Sequence, residues 1–286
     1  MIQVVGILGA GQMGSGIAQV FAQNDYPVIL HDVSAPQLEK AMKTIALSLE
    51  KQAKNGSVGP GNASSTLNRI APVEDFSELA ACDIVVEAVN ENEALKLDMF
   101  RRLDGTVKKE ALLATNTSSI SITKIAAVTQ QPDRVIGMHF MNPVPVMQLV
   151  EVIRGFATSQ ETFQAVSDLV ARIGKTMVVS QDYPGFIINR ILMPMINEAI
   201  FVLQDGIAEA RDIDQGMKLG TNQPMGPLEL ADFIGLDTVL AICTVLYEGF
   251  KDPKYRPSPL LVKMVNAGYL GKKSGRGFYT YTLDPS

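Results

Sequence analysis

The stretch Val5-Gly6-Ile7-Leu8-Gly9-Ala10-Gly11-Gln12-Met13-Gly14 limits the fold of this chain more than any other part of it. Residues 4–8 form a short apolar run suited to a buried strand, and residues 13–22 carry apolar side chains at helical spacing. Between strand and helix stand Gly9, Gly11 and Gly14. In a strand–turn–helix unit the first glycine permits the tight turn, the second lets a pyrophosphate approach the backbone, and the third lets helix and strand pack closely. The free N–H groups and the positive dipole end of the helix then face the phosphates. A second apolar run, residues 27–30, ends at His31-Asp32, which puts an acid at the distance where a ribose 2′-hydroxyl needs an acceptor. Strand, glycines, helix, strand and acid in this order indicate a dinucleotide-binding unit, and the acid favours NAD over NADP.

The rest of the chain extends that pattern and then abandons it. Residues 35–54 read as a long helix and 55–65 as a break rich in Gly, Ser and Asn, together a projecting helical arm. Further strands are expected at 70–73, 83–88, 111–115, 134–140, 148–153 and 177–180, with helices at 93–103 and 161–173, which brings the strand count to eight. Gln181-Asp182-Tyr183-Pro184-Gly185 ends the β-type alternation. Beyond it, helices are expected at 186–203, 207–219, 228–234, 237–250 and 259–266, the first apolar on every side and so read as a central buried helix. The expected fold is α/β: a Rossmann-type, mostly parallel sheet over residues 1–182, with its arm at about 35–65, then an all-helical domain over 183–286.

Composition narrows the partners. The net charge of -5 is mild and no Lys/Arg run stands out, so neither a nucleic-acid footprint nor a membrane-surface helix is indicated. A strand follows Met1 at once, which leaves no room for a targeting peptide, and no apolar run is long enough to span a bilayer. Cys82 and Cys243 are far apart and lack metal-type spacing, which argues against a disulfide scaffold or a metal site. A cytoplasmic location is the expectation.

Only two histidines exist. His31 precedes the ribose-binding acid and reads as a strand-end residue, whereas His139 closes a buried strand at the sheet edge that faces the nucleotide, with Glu151 on the next strand. Hydride transfer from an alcohol needs a base for the hydroxyl proton, and an imidazole held by a carboxylate is suited to it. The competing reading pairs Glu151 with Arg154 or Arg190. Asn116-Thr117-Ser118-Ser119 forms a polar loop at a strand's carboxyl end, where open α/β sheets place ligands. Asn189 is a buried amide among Ile187, Ile188, Ile191 and Leu192; it either caps a neighbouring loop or points at the substrate. Lys51 and Lys54 are either a solvated face of the arm or contacts for an anionic ligand.

Taken together, several segments resemble the L-3-hydroxyacyl-CoA dehydrogenase family, with the bacterial 3-hydroxybutyryl-CoA dehydrogenases nearest in pattern. They are the glycine motif with Asp32, Asn116-Thr117-Ser118-Ser119, His139-Phe140-Met141-Asn142-Pro143, Asp182-Tyr183-Pro184-Gly185-Phe186-Ile187-Ile188-Asn189-Arg190, Gly226-Pro227-Leu228 with Asp232, and Gly275-Arg276-Gly277-Phe278-Tyr279. The resemblance spans essentially the whole chain. It implies His139 as the proton-accepting base, Glu151 as its partner, and Ser118 and Asn189 as groups that hold the substrate's 3-oxygen. It implies an NAD site built from Gly9, Gly11, Gln12, Met13, Gly14, Asp32, Glu91, Lys96, Asn116 and Asn142. It also implies an acyl-CoA substrate met on the arm by Ser48, Lys51 and Lys54, and a homodimer formed through the helical domain. Two rivals stand beside it. One is a dehydrogenase of the same architecture acting on a free hydroxy or sugar acid such as gulonate; the other is a catalytically inactive NAD-binding protein with a structural or redox-sensing role.

Overall fold

The computed structural model describes residues 2–55 and 62–282. The chain divides into two compact units, Met1–Tyr183 and Pro184–Ser286. In chain order the first unit holds β1 (Val5–Leu8), α1 (Gln12–Gln23), β2 (Val28–His31), α2 (Ala35–Lys54), α3 (Asn62–Asn68), β3 (Ile70–Val73), β4 (Ile84–Glu87), α4 (Glu93–Thr106) and β5 (Leu112–Thr115). It continues with α5 (Ile122–Ala126), β6 (Val135–Phe140), β7 (Leu149–Arg154), α6 (Gln160–Arg172) and β8 (Thr176–Gln181).

The eight strands form one sheet in the order β3-β2-β1-β4-β5-β6-β7-β8. Neighbours run parallel throughout except β6 and β7, which are antiparallel. Every residue of β1, β4, β5 and β6 is buried, as expected for strands covered by helices on both faces and written as nearly continuous apolar runs. The chain steps outward from β1 to β2 and β3 and then returns to β4 on the other side. That reversal of strand order opens the crevice at the carboxyl ends of β1 and β4.

Local chemistry explains the elements around that crevice. Gly9 has φ +102°, and a Cβ there would lie 2.8 Å from the Ala88 carbonyl oxygen. A Cβ on Gly14 would lie 1.8 Å from the Gly9 carbonyl oxygen, so helix α1 can leave the turn only through a glycine at this position. Ser34 caps α2, its hydroxyl accepting from Gln37 N, and Pro36 stands in the first turn. The buried face of α2, Leu38, Ala41, Ile45 and Leu49, packs into the core that also holds Ile7, Phe21 and Phe140. The arm is therefore amphipathic, with one side anchored. Within the expected break over 55–65, residues 62–65 are helical. Residues 56–61 lie outside the described residues, and Asn62–Asn68 is a helix because Ala63 and Leu67 pack against the core.

The second unit holds α7 (Ile188–Gln204), α8 (Ala210–Gly220), α9 (Pro227–Ile234), α10 (Leu236–Phe250) and α11 (Pro259–Asn266) around Met193, Ile196, Ile200, Leu228, Leu236 and Leu246. Its β-structure among the described residues is two isolated bridges, Gly271↔Arg276 and Arg276↔Thr280. The expectation that 186–203 is a helix buried on every side needs correcting. Asn189, Met193, Ile196, Asn197 and Ile200 make a single buried stripe, and Ile191 is 69% exposed. Among the described residues no single helix is long and apolar enough to cross a membrane.

Two buried acids close this unit. Asp214 accepts from Leu228 N (2.8 Å), Glu229 N (2.9 Å) and the Tyr279 hydroxyl (2.6 Å). Asp232 accepts from Phe278 N (3.0 Å), Tyr279 N (2.9 Å) and the Tyr281 hydroxyl (3.0 Å). A Cβ on Gly277 would lie 1.9 Å from an Asp232 oxygen, which explains the glycine in the Gly275-Arg276-Gly277-Phe278-Tyr279 segment.

The contrast between crowded and open glycines is testable. Gly14→Ala is expected to cost about 1–3 kcal/mol through forced backbone displacement. Gly105, within α4, would present its Cβ to nothing within 4 Å. Gly105→Ala is expected to add about 0.5–1 kcal/mol by helix propensity. Urea denaturation of both variants checks this, and equal effects would contradict the packing account.

Candidate active site

The site begins at the glycine turn. Unlike its neighbours, Gly11 would present a Cβ to nothing within 4 Å, so the turn is open on the side where a phosphate needs access. It borders a cavity of about 470 Å³ that also takes in Gly9, Asp32, Gln37, Val89 and Asn90. The Asp32 carboxylate holds the turn from below: one oxygen accepts from Ala10 N at 2.9 Å and the other from Ser34 N at 3.1 Å. Gln37 Nε2 donates to the Ala10 carbonyl at 2.7 Å. Beside Asp32, His31 is buried edge-on to Phe76, and burial lowers its pKa despite the Glu74 backbone and the Asp32 charge, so it stays neutral near pH 7. Gln12 Nε2 donates to Asn142 Oδ1 at 3.2 Å, which joins the start of α1 to the turn after β6. Met13 packs inward against the core.

Across the sheet, β6 and β7 run antiparallel with His139 directly opposite Glu151. The His139 Nδ1 and a Glu151 carboxylate oxygen are 2.8 Å apart; Glu151 is wholly buried and His139 is 8% exposed. Arg154 turns elsewhere, donating to Gln160 Oε1 and the Thr158 carbonyl, and Arg190, in the second unit, stacks on Phe250. Asn116 Oδ1 accepts from Phe140 N at 2.8 Å, tying the end of β5 to the residue after His139. The peptide bond Asn142-Pro143 is cis, and Lys175 Nζ donates to the carbonyls of Val144 (2.8 Å) and Met147 (2.7 Å), which secures the turn that follows.

Between these two halves lies the turn of residues 117–119. One Glu91 oxygen accepts from Thr117 Oγ1 (2.5 Å), Ser118 N (3.1 Å), Ser119 N (3.1 Å) and Ser119 Oγ (2.7 Å). Burial pushes the Glu91 carboxyl up, but the Lys96 charge and these donors outweigh it and hold the carboxyl below its usual range. Lys96 is 1% exposed, with Nζ donating to Glu87 Oε1 at 2.6 Å and to the Val89 carbonyl at 3.1 Å, and 3.4 Å from the other Glu91 oxygen. Glu87, which the sequence reading passed over, is the acid that pairs with Lys96. Its signal was an acid closing the all-buried strand Ile84–Glu87, since a buried carboxylate requires donors or a cation.

Ser48 is half-buried on the arm, and Lys51 and Lys54 are exposed in its last turn. Asn189 is buried in the first turn of α7, within the second unit. Among the described residues no group of three or more His, Cys, Asp or Glu is arranged to hold a metal ion. The first unit thus puts an anion-accepting turn and a carboxylate-held imidazole along the carboxyl ends of parallel strands of one sheet. That combination suits proton transfer beside a bound dinucleotide.

Known proteins resemble this chain over nearly its whole length. Residues 4–183 match the model of the 3-hydroxyacyl-CoA dehydrogenase NAD binding domain, and residues 185–281 match the model of the 3-hydroxyacyl-CoA dehydrogenase C-terminal domain. A 3-hydroxybutyryl-CoA dehydrogenase of Bradyrhizobium diazoefficiens is 53% identical, over 98% of this chain and 96% of its own. The human mitochondrial hydroxyacyl-coenzyme A dehydrogenase is 44% identical, over 98% of this chain and 92% of its own. The crystal structure of an (S)-3-hydroxybutyryl-CoA dehydrogenase from Ralstonia eutropha superposes with a TM-score of 0.97 at 51% identity, covering 99% of this chain and 100% of that one.

The Glu91 environment sets a pH dependence. A carboxylate whose pKa is depressed by folding stabilises the fold fully above its ordinary value of 4.5 and loses that contribution as pH falls through the lower folded value. Glu91→Gln is therefore expected to be less stable than the parent at pH 7, with the gap closing as pH drops below 4.5. Denaturation curves across that range check it; a gap independent of pH contradicts the assignment.

Proposed function

The chain belongs to the 3-hydroxyacyl-CoA dehydrogenase family, and from that premise we propose that it interconverts (S)-3-hydroxyacyl-CoA and 3-oxoacyl-CoA with NAD(H), on short chains of the 3-hydroxybutyryl and acetoacetyl type. The observation that carries the mechanism is the 2.8 Å contact between His139 Nδ1 and Glu151. With Nδ1–H donating to the carboxylate, the lone pair sits on Nε2. Nε2 takes the 3-hydroxyl proton during oxidation and returns a proton to the 3-oxygen during reduction. Glu151 keeps the ring in that tautomer and stabilises the imidazolium that forms. Ser118 holds the 3-oxygen. NAD supplies the chemistry of accepting or returning hydride at C3.

The residues present fit that cofactor. The open Cβ position at Gly11, the positive φ at Gly9 and the Asp32 carboxylate support a cradle for the pyrophosphate and an acceptor for the ribose, with Gln12, Met13, Gly14, Glu91, Lys96, Asn116 and Asn142 as the remaining cofactor residues. Ser48, Lys51 and Lys54 meet the coenzyme A moiety from the exposed side of α2. A homodimer through the helical unit is part of the proposal. An apolar cavity of about 440 Å³ lined by Met195, Ala199, Val202 and Met217, with exposed Ile191, Ile207 and Leu219 on the same unit, supports it. So is a cytoplasmic location, supported by two buried free cysteines whose thiols burial pushes up to about 12.

Four expectations follow. His139→Ala should lose on the order of a hundredfold or more in kcat while retaining NADH binding by fluorescence titration; near-normal turnover overturns the assignment. Steady-state kinetics should favour NADH over NADPH. In a 3-oxoacyl-CoA chain-length series, acetoacetyl-CoA should be among the best substrates, and turnover of a free hydroxy acid at a comparable rate would overturn the substrate class. Light scattering should report twice the 30.9 kDa chain mass.

A further inference from the structure

Glu87 closes β4 with no exposed surface, and the mechanism above makes no use of it. Its carboxylate is met by donors on both oxygens. Oε1 accepts from Lys96 Nζ at 2.6 Å and Val89 N at 2.7 Å, and Oε2 accepts from Thr115 Oγ1 at 2.7 Å. Burial pushes its carboxyl up, while the Lys96 charge, the Thr115 hydroxyl and the Val89 N–H pull it down. On balance burial holds the carboxyl above its usual range, while an ammonium and an N–H on Oε1 and a hydroxyl on Oε2 are the partners of an acceptor-only carboxylate. A buried ion pair is a poor source of stability, because its desolvation offsets most of the attraction and an apolar replacement is often neutral. Position is the better account.

Two routes lead from Glu87 to the turn of residues 117–119. Thr115 lies opposite Glu87 in the parallel register, and its hydroxyl, which donates to Glu87, also accepts from Thr117 N at 3.2 Å. Lys96, anchored on Glu87, stands 3.4 Å from one oxygen of Glu91, whose other oxygen gathers Ser118 N, Ser119 N and both flanking hydroxyls. We propose that Glu87 is a positioning residue which, through Lys96 and Thr115, fixes the 117–119 turn and so the presentation of Ser118. The consequence for turnover rests on the reading of Ser118 as a contact to the substrate's 3-oxygen. Without the Glu87 charge, the buried ammonium is left with Glu91 as its carboxylate and competes with the turn's N–H groups for it. The turn loosens while the sheet stays folded. The loss then falls on the orientation of the reacting oxygen, and binding of the coenzyme A portion is unaffected.

The test uses the full chain with Glu87→Gln, which keeps the shape, alongside Lys96→Met, the double variant and Ser118→Ala. In Glu87→Gln, kcat with acetoacetyl-CoA is expected to fall roughly tenfold or more with KM within about threefold. Protection of the Ser118 and Ser119 amides from hydrogen exchange is expected to fall about tenfold. The double variant should be no worse than Lys96→Met alone, the non-additivity of residues acting along one route. If Glu87→Gln fails to fold, Thr115→Val, which keeps the volume and cuts the shorter route, carries the same readouts. Unchanged amide protection overturns the proposal, and so does lost protection with full kcat where Ser118→Ala is impaired. Additive effects in the double variant overturn the route through Lys96. Wild-type turnover in Ser118→Ala would instead sink the reading of Ser118, and amide protection would then decide alone whether Glu87 fixes the turn.

Discussion

The reversal of chain direction between β6 and β7 is what seats an imidazole beside a carboxylate in this protein. Six neighbouring pairs of the sheet are parallel and this one is not, so the chain turns at residues 141–148 and comes straight back. Residues directly opposite in an antiparallel pair project their side chains on the same face at short separation. His139 and Glu151 therefore meet without any flexible reach. A slip of one residue in either strand would put the two side chains on opposite faces, so register and chemistry are a single constraint. The surrounding bonds guard that register: Asn116 holds Phe140 N, Gln12 holds Asn142, and Lys175 holds the carbonyls of Val144 and Met147.

Elsewhere along the same sheet edge, acids serve as collectors of backbone donors. Asp32 gathers the N–H groups of Ala10 and Ser34, and Glu91 gathers those of Ser118 and Ser119. Asp182 accepts from Ser121 Oγ, Ile122 N and Thr123 N at the start of α5. Turns at strand ends leave N–H groups without ladder partners, and a fixed carboxylate satisfies several at once. Each of these three turns is thereby tied to a carboxylate of the protein itself.

What could be read before folding depended on sequence distance. The glycine turn, Asp32 and the strand periodicities are local, and the His139–Glu151 pair spans two consecutive strands, so pattern alone brought them together. Lys96 is a different case. It sits on an ordinary-looking helix, where a lysine reads as solvated or as a ligand contact, and only the closed sheet shows that its ammonium is buried against Glu87. The helix Asn62–Asn68 was hidden for the opposite reason, because Asn, Ser and Thr have weak propensities and the packing of Ala63 and Leu67 decides the outcome. The apolar circumference of α7 announces that the helix needs cover without saying on which side, and within its own unit Ile191 has none.

The tie between the last described segment and two distant acids bears on how the chain matures during synthesis. All eight strands of the sheet lie before residue 182, so the sheet can close while the remainder is still being made. The helical unit has no such freedom. Asp232 stays short of the Phe278 and Tyr279 amides and the Tyr281 hydroxyl, and Asp214 short of the Tyr279 hydroxyl, until those residues have cleared the ribosome. Until then the helical unit holds two carboxylates short of donors, which makes their burial costly.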